Sequence, residues 1–519
     1  MEPVKKTSRL VAALAAGALA LGLAACSPGS NNAGSTTGSS TTAPLLTLGQ
    51  IIEPTSFDPA VSQEGNSMPY YQAVYDTLIK RAPDGSLEPM LATEWTYNDD
   101  RTALTLTLRD DVTFSDGAAF DADGAKANIE HFIETKGPQA NQAASITSVE
   151  ATDATTLVIT LSEPDPSLEY SLASSLGFMA SPDAIGSEDI ASTPVGSGPY
   201  TLDSASTIVG SEYTFVRNAD YWGDALPYDS IKFVLLTDET ARVNALRSGQ
   251  INAAVFTAPS TAQELESSGF TVEGQLGDFS GFVFFDRTGQ LNPAFADPRV
   301  REALTISIDK EALLENVGQG RGELTNQIFP SDDFSYDKAL DTDDRFAYDP
   351  DRAKQLLADA GYASGLTVTM PISPVFDPSI YTTIEQNFSD IGVTMERVEF
   401  GPGQTIPALL GGQFAITYFT LATFNDWTTV RQYLAPDAPW NSLKTEDADL
   451  AELIKAYQYA TTDDERTTAG QAMNEYVVDN NWFGVFSRVL STYGHDDTVS
   501  VELQTQQAVP SIYNYSPAN

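Results

Sequence analysis

Apolar and polar residues alternate strictly over Leu104-Thr105-Leu106-Thr107-Leu108-Arg109, which predicts a strand with one buried face. Further strands are expected over Leu45 to Ile52, Leu91 to Asp100, Thr156 to Leu161 and Ile231 to Leu236, and as a buried run over Gly281 to Asp286. Helical spacing appears between Tyr70 and Lys80, where Tyr71, Val74, Tyr75, Leu78 and Ile79 recur at three- and four-residue intervals. Asp121 is placed to cap a helix through Ile133, Asp238 one that ends at Gly249, and Asp349 one that begins with Pro350. From Leu366 the pattern alternates: strand to Met370, helix over Pro378 to Ile391, strands over Val393 to Phe400 and Phe414 to Leu421. Helices follow over Asp449 to Ala460 and Asp463 to Asp479, and no repeat of fixed period is present. The fold class is therefore α/β in more than one domain.

The sharpest local signal lies between Pro194 and Gly223. Val195-Gly196-Ser197-Gly198-Pro199-Tyr200 reads as a tight turn, its glycines expected to adopt backbone angles closed to other residues and Pro199 to fix the entry to a strand. Tyr200 to Leu202 and Ile208 to Val216 form an expected hairpin, and Arg217 to Gly223 (R-N-A-D-Y-W-G) an aromatic corner.

Composition narrows the chemistry. The 519 residues carry 28 Lys+Arg against 71 Asp+Glu, a formal charge of −43 that would repel a nucleic-acid backbone. One Cys and two His rule out an intrachain disulfide and a Cys/His metal cage. No G-x-S-x-G, H-E-x-x-H, Walker or dinucleotide fingerprint occurs, so neither a catalytic constellation nor a cofactor is indicated. His131 and His495 are read as structural or exposed, and the abundant carboxylates single out no glycosidase-like pair.

The N-terminus has the form of a leader. Lys5, Lys6 and Arg9 precede an apolar run from Leu10 to Leu23 that is too short to span a bilayer. Leu23-Ala24-Ala25-Cys26 resembles the lipobox of bacterial lipoproteins, which implies cleavage before Cys26 and a lipidated thiol. Ser27 to Pro44, rich in Ser, Thr, Gly and Asn, is expected to be a flexible spacer.

P-V-G-S-G-P-Y followed by R-N-A-D-Y-W-G resembles the signature region of family 5 extracytoplasmic solute-binding proteins, which serve ABC importers. Other blocks are similar to that family in order: Tyr75-Asp76-Thr77-Leu78, Phe114 to Gly117, Ala241 to Gly249, Asp297 to Leu304, and Tyr348 to Tyr362. Asn252 and Asp286 depart from its usual Asp and Asn. The resemblance implies a periplasmic-binding-protein-like type II (cluster C) fold of two lobes about a hinge, in three domains. It assigns residues 1–25 to a signal peptide, 26–44 to the lipidated Cys26 and linker, and 45–82, 191–288 and 483–519 to domain I. Residues 83–190 become an inserted domain II, and 289–482 domain III.

The same resemblance implies a small solute, a short peptide before others, held between the lobes and passed to an ABC permease by a monomer tethered at the extracytoplasmic face of the cell membrane. A buried ammonium then needs a carboxylate, and a buried carboxylate needs Arg, Lys or a helix N-terminus. Tyr418 to Leu434 is the expected ligand-binding stretch, matching the place of the family's D-x-x-D-P. There Asp426 either holds an amine or caps a helix, Trp427 stacks, and Phe424, Asn425 and Tyr418 accompany them. Arg431 either meets a carboxylate or covers surface. Ser56, Phe57 and Asp58 are expected from the first lobe, with Tyr70 behind them. An oligosaccharide stacked on Trp427 and Trp440, or a surface hydrolase, are the alternatives.

Overall fold

The computed structural model describes residues 44–401 and 403–518, so the leader, Cys26 and nearly all of the spacer lie outside the described residues. One large mixed sheet organises the rest. Its centre is Leu46–Gln50, parallel to both Ser230–Leu235 and Ala253–Phe256. Glu212–Arg217 and Tyr200–Leu202 extend it on one side by antiparallel pairing. On the other side Ala253–Phe256 pairs with the 13-residue strand Phe483–His495, itself paired with the 14-residue strand Thr271–Phe284. These two strands exceed the usual five or six residues, and their far halves meet Ile416–Leu421 and Gly322–Leu324. One ribbon thus belongs to two bodies of structure.

At its middle the ribbon is irregular. Leu276 faces Leu490 and Phe279 faces Arg488, so Gly277 and Asp278 together stand against Val489 alone. Such a β-bulge bends the strand and re-aims the extra side chain.

A separate antiparallel sheet runs in the order Ala92–Tyr97, Ala103–Leu108, Thr156–Leu161, Ile146–Asp153. The alternation is as the sequence predicts: Leu104, Leu106 and Leu108 are buried while Thr105 and Thr107 face out. Helix Ala122–Thr135, capped by Asp121 through Gly124 N, lays Ile129 and Phe132 against that core. Downstream, Leu366–Ile372 and Val393–Glu399 are parallel with helix Pro378–Asp390 between them in sequence, closing a third core around Ile384, Phe388 and Met370.

Three local expectations change. The helix predicted over Tyr70 to Lys80 is Met68–Val74, and Tyr75 is already extended at φ −123°, ψ 138°. The chain leaves the helix there because the Asp76 carboxylate is drawn to donors from a distant segment, and Ile79–Arg81 is a strand paired with Leu87–Pro89. The second hairpin strand starts at Glu212, since Ile208 and Val209 lie exposed in the turn. Gly196 and Gly198 do not adopt positive φ. They are required by close approach instead: a Cβ on Gly196 would stand 2.0 Å from the Val74 carbonyl oxygen, and one on Gly198 2.6 Å from the Val74 carbonyl carbon.

Candidate functional site

A cavity of about 950 Å³ lies over the bulged middle of the ribbon. One wall comes from Gln63 to Gly65, Arg81, Pro138 to Gln142 and the helical segment around Tyr170. The facing wall comes from Gln275 to Asp278, Phe419 to Asn425, Thr428, Arg431 to Tyr433, Pro439 and Trp440. Side chains join the walls. Arg431 Nη1 reaches Asp165 Oδ2 at 3.4 Å and its Nη2 donates to the Asn141 carbonyl. Gln458 Nε2 donates to Pro164 O at 3.0 Å, and Gln506 Nε2 to Asp333 Oδ1 at 2.8 Å.

The lining is mainly amides and hydroxyls, with a few aromatic rings and few charges. Phe419 and Trp440 have centroids 5.1 Å apart, Phe424 and Tyr433 6.2 Å, and Arg81 lies 5.7 Å over Tyr170. Glu64 accepts from Gln142 Nε2 at 2.6 Å and from Ser174 Oγ. Arg81 Nη2 donates to Gln506 Oε1 at 2.9 Å, and burial pulls its guanidinium below the ordinary arginine value. Asp278 accepts one backbone N–H, from Thr423 at 3.3 Å. Enclosure raises its carboxyl above the ordinary range, offset in part by the Thr423 N–H and by Arg488. Such a surface orients a small polar guest by a handful of groups and binds its remainder by contact.

The expected site residues divide. Phe424, Asn425 and Arg431 line the cavity. Asp426 does not: its carboxylate turns inward, Oδ2 accepting from Tyr457 OH at 2.9 Å and Ser335 N at 3.2 Å. Asn425, one residue earlier, takes the helix cap by accepting from Thr428 N at 3.0 Å, which sends the next side chain into the core. Trp427 is stacked on Tyr457 at 6.3 Å and 11°, and Tyr418 is buried among Phe376, Tyr381 and Phe486, so neither reaches the cavity. Ser56, Phe57 and Asp58 are likewise structural. Ser56 Oγ accepts from Asp58 N, and Phe57 packs on Tyr71, Tyr213 and Phe215. Asp58 caps Ala60 N and meets His131 Nε2 at 3.0 Å. Tyr70 is fully buried, its hydroxyl on Ile52 O.

Asp426 has a buried acidic neighbour. Burial and the Asp426 charge push Asp333 well above the carboxylate range, and burial raises Asp426 too. Asp426 Oδ1 and Asp333 Oδ2 each have no other donor among the described residues, an arrangement a single shared proton satisfies. Neither lines the cavity, so the pair is not poised over a guest. Among the described residues no group of three or more His, Cys, Asp or Glu could hold a metal ion.

Sequence reasoning passed over Asp278, Glu64, Arg81 and Tyr170. Their roles depend on how distant segments meet, and only the Gly277-Asp278 pair, shortly before the apolar run that begins at Gly281, hints at the bulge.

Comparison with known proteins agrees with this architecture. Residues 86–436 match the model of bacterial extracellular solute-binding proteins, family 5 Middle. The chain is 28% identical over 358 residues to the Glutathione-binding protein GsiB of Salmonella paratyphi A, covering 67% of this chain and 68% of that one. It is 25% identical over 399 residues to Di/tripeptide-binding protein 1 of Pseudomonas aeruginosa, covering 69% and 72%. The structure of the ABC transporter-associated periplasmic binding protein DppA from Helicobacter pylori, in complex with peptide STSA, superposes with a TM-score of 0.77 at 20% identity over 93% of this chain and 100% of that one. The mixed α/β fold is thus that of the periplasmic binding proteins.

Proposed function

The chain belongs to the bacterial extracellular solute-binding proteins of family 5, and from that premise we propose that it captures a small polar solute, a short peptide before others, and hands it to an ABC permease. The observation that carries this is the cavity itself: about 950 Å³ enclosed between two walls that Arg431, Gln458 and Gln506 tie together. That volume is at the upper end of small-molecule sites and leaves room for a few peptide residues. Relatives that carry glutathione and di- and tripeptides support the same solute class.

In this reading the two walls belong to lobes that close about the long ribbon, Thr271–Phe284 with Phe483–His495. Residues 45–82, 191–288 and 483–519 form domain I, 83–190 domain II and 289–482 domain III. Closure shields the guest from water and presents one shape to the permease, and no bond in the solute is broken, so the protein is a carrier and not an enzyme. The leader directs export, and the lipidated Cys26 holds a monomer at the outer face of the cell membrane. Two or more acyl chains suffice for stable anchoring.

Trp440 beside Phe419 favours a second reading, an oligosaccharide stacked on that wall. Titration calorimetry with peptide pools and with oligosaccharides separates the two, and mass spectrometry of solute retained through purification identifies the guest directly. Binding of neither class, with nothing retained, overturns the carrier proposal. Labelling with radioactive palmitate, lost in Cys26→Ser, tests the anchor.

A further inference from the structure

We propose that Asp278 is the counter-ion for a primary ammonium group on the solute; this rests on the carrier reading above and names the chemistry its cavity selects. The role expected for Asp426 thereby moves to a different strand.

Four charged side chains line the cavity, and three are engaged. Glu64 accepts from Gln142 and Ser174, Arg81 donates to Gln506, and Arg431 is paired with Asp165. Asp278 forms no salt bridge among the described residues and accepts a single N–H at 3.3 Å. It is nonetheless accessible from the cavity while surrounded by protein. An enclosed carboxylate without a cation is unfavourable in the free protein and is relieved when a cationic guest arrives.

The backbone holds that carboxylate in place. The bulge at Gly277-Asp278 interrupts the ribbon where it passes under the cavity. The Gly277 carbonyl is fixed from two sides, by Thr423 Oγ1 at 2.8 Å and Arg488 Nη1 at 3.2 Å. Arg488 itself donates to Thr423 Oγ1 and to the Ile328 carbonyl, so its guanidinium tempers the local charge without pairing with Asp278. Tyr433, which feels the Asp278 charge, donates its hydroxyl to Ala422 O at 2.6 Å and leaves the carboxylate uncapped. The result is a rigid acceptor aimed at the space a guest occupies, a suitable fit for the three donors of an ammonium.

The test is titration calorimetry of wild-type protein and Asp278→Asn against trialanine, arginine and spermidine, with N-acetyl-trialanine, maltotriose and glutarate as probes lacking an ammonium. The inference expects at least one ammonium probe to bind wild type and to weaken about 30-fold or more in D278N. Thermal unfolding should not fall in the variant, because removing an enclosed charge that has no salt bridge and accepts one N–H takes away an unfavourable term. Equal binding of an ammonium probe by both proteins overturns the inference and leaves the carrier reading intact. So does binding of only the probes without an ammonium. A wild-type protein that binds none of the six, with no retained solute, overturns both.

Discussion

The indole N–H of Trp222 donates to the buried carboxylate of Asp76 at 2.7 Å, joining two motifs far apart in the chain. Ser197 Oγ donates to the same oxygen at 2.9 Å, and Tyr221 and Tyr513 donate to the other at 3.3 Å each. The P-V-G-S-G-P-Y and Y-W-G signatures therefore serve one purpose, which is to surround a desolvated carboxylate with donors where the chain returns from the four-stranded sheet to the large one. Trp222→Phe removes one donor and leaves the carboxylate under-satisfied. The expected loss is about 1–3 kcal/mol of unfolding free energy, read by denaturant titration.

Glycines in this protein act through different physics, and substitution separates them. Gly196→Ala would force a Cβ to 2.0 Å from Val74 O and should cost about 3 kcal/mol or more, with insoluble expression as the alternative signature. Gly210→Ala meets nothing within 4 Å and disturbs only a φ of +82°, so it should cost about 1 kcal/mol. Equal melting temperatures for the two variants would contradict the close-approach account.

Buried carboxyls give stability a definite slope with pH. Burial pushes Asp76 up to about 6, and Asp333 and Asp426 also lie above the carboxylate range. A carboxyl whose folded value exceeds its unfolded one binds a proton more tightly in the native state. Its stabilisation is complete in acid and is lost as pH rises through the folded value. Asp76 alone should therefore lower the unfolding free energy by about 3 kcal/mol as pH rises from about 4, the unfolded carboxylate range, to about 6. Asp426→Asn supplies a permanent N–H where the shared proton sits and should flatten part of that slope. Identical pH profiles for wild type and D426N would refute the shared proton.

Arg431 bridges the cavity walls, but its partner does not depend on it. Asp165 also accepts from Ser145 Oγ at 2.8 Å and from the backbone and hydroxyl of Ser167. Arg431→Met should thus change global stability by about 1 kcal/mol or less while loosening the contact between the walls. Small-angle scattering should show a larger radius of gyration for the variant at equal melting temperature. An unchanged radius would mean that the bridge does not hold the cleft.

Much of the fold was legible because it depends on local rules. The alternation at Leu104 to Leu108 sets one face of a sheet, and the aspartate caps at Asp121, Asp238 and Asp349 each accept the expected N–H. The site was legible only in part. The stretch around Phe424 does reach the cavity, yet the cap fell on Asn425, and that one-residue shift turned Asp426 and Trp427 into core. Asp278 was invisible because a bulge is a property of two paired strands, and its partner Val489 lies near the other end of the chain.

The ribbon also constrains the order in which the protein can be made. Ala253–Phe256 finds its antiparallel neighbour only in Phe483–His495, and Thr271–Phe284 depends on the same late segment. During synthesis the early strands therefore wait, with open edges, until almost the whole polypeptide has emerged. Contacts this distant in sequence slow folding, a trait that suits the export route proposed above.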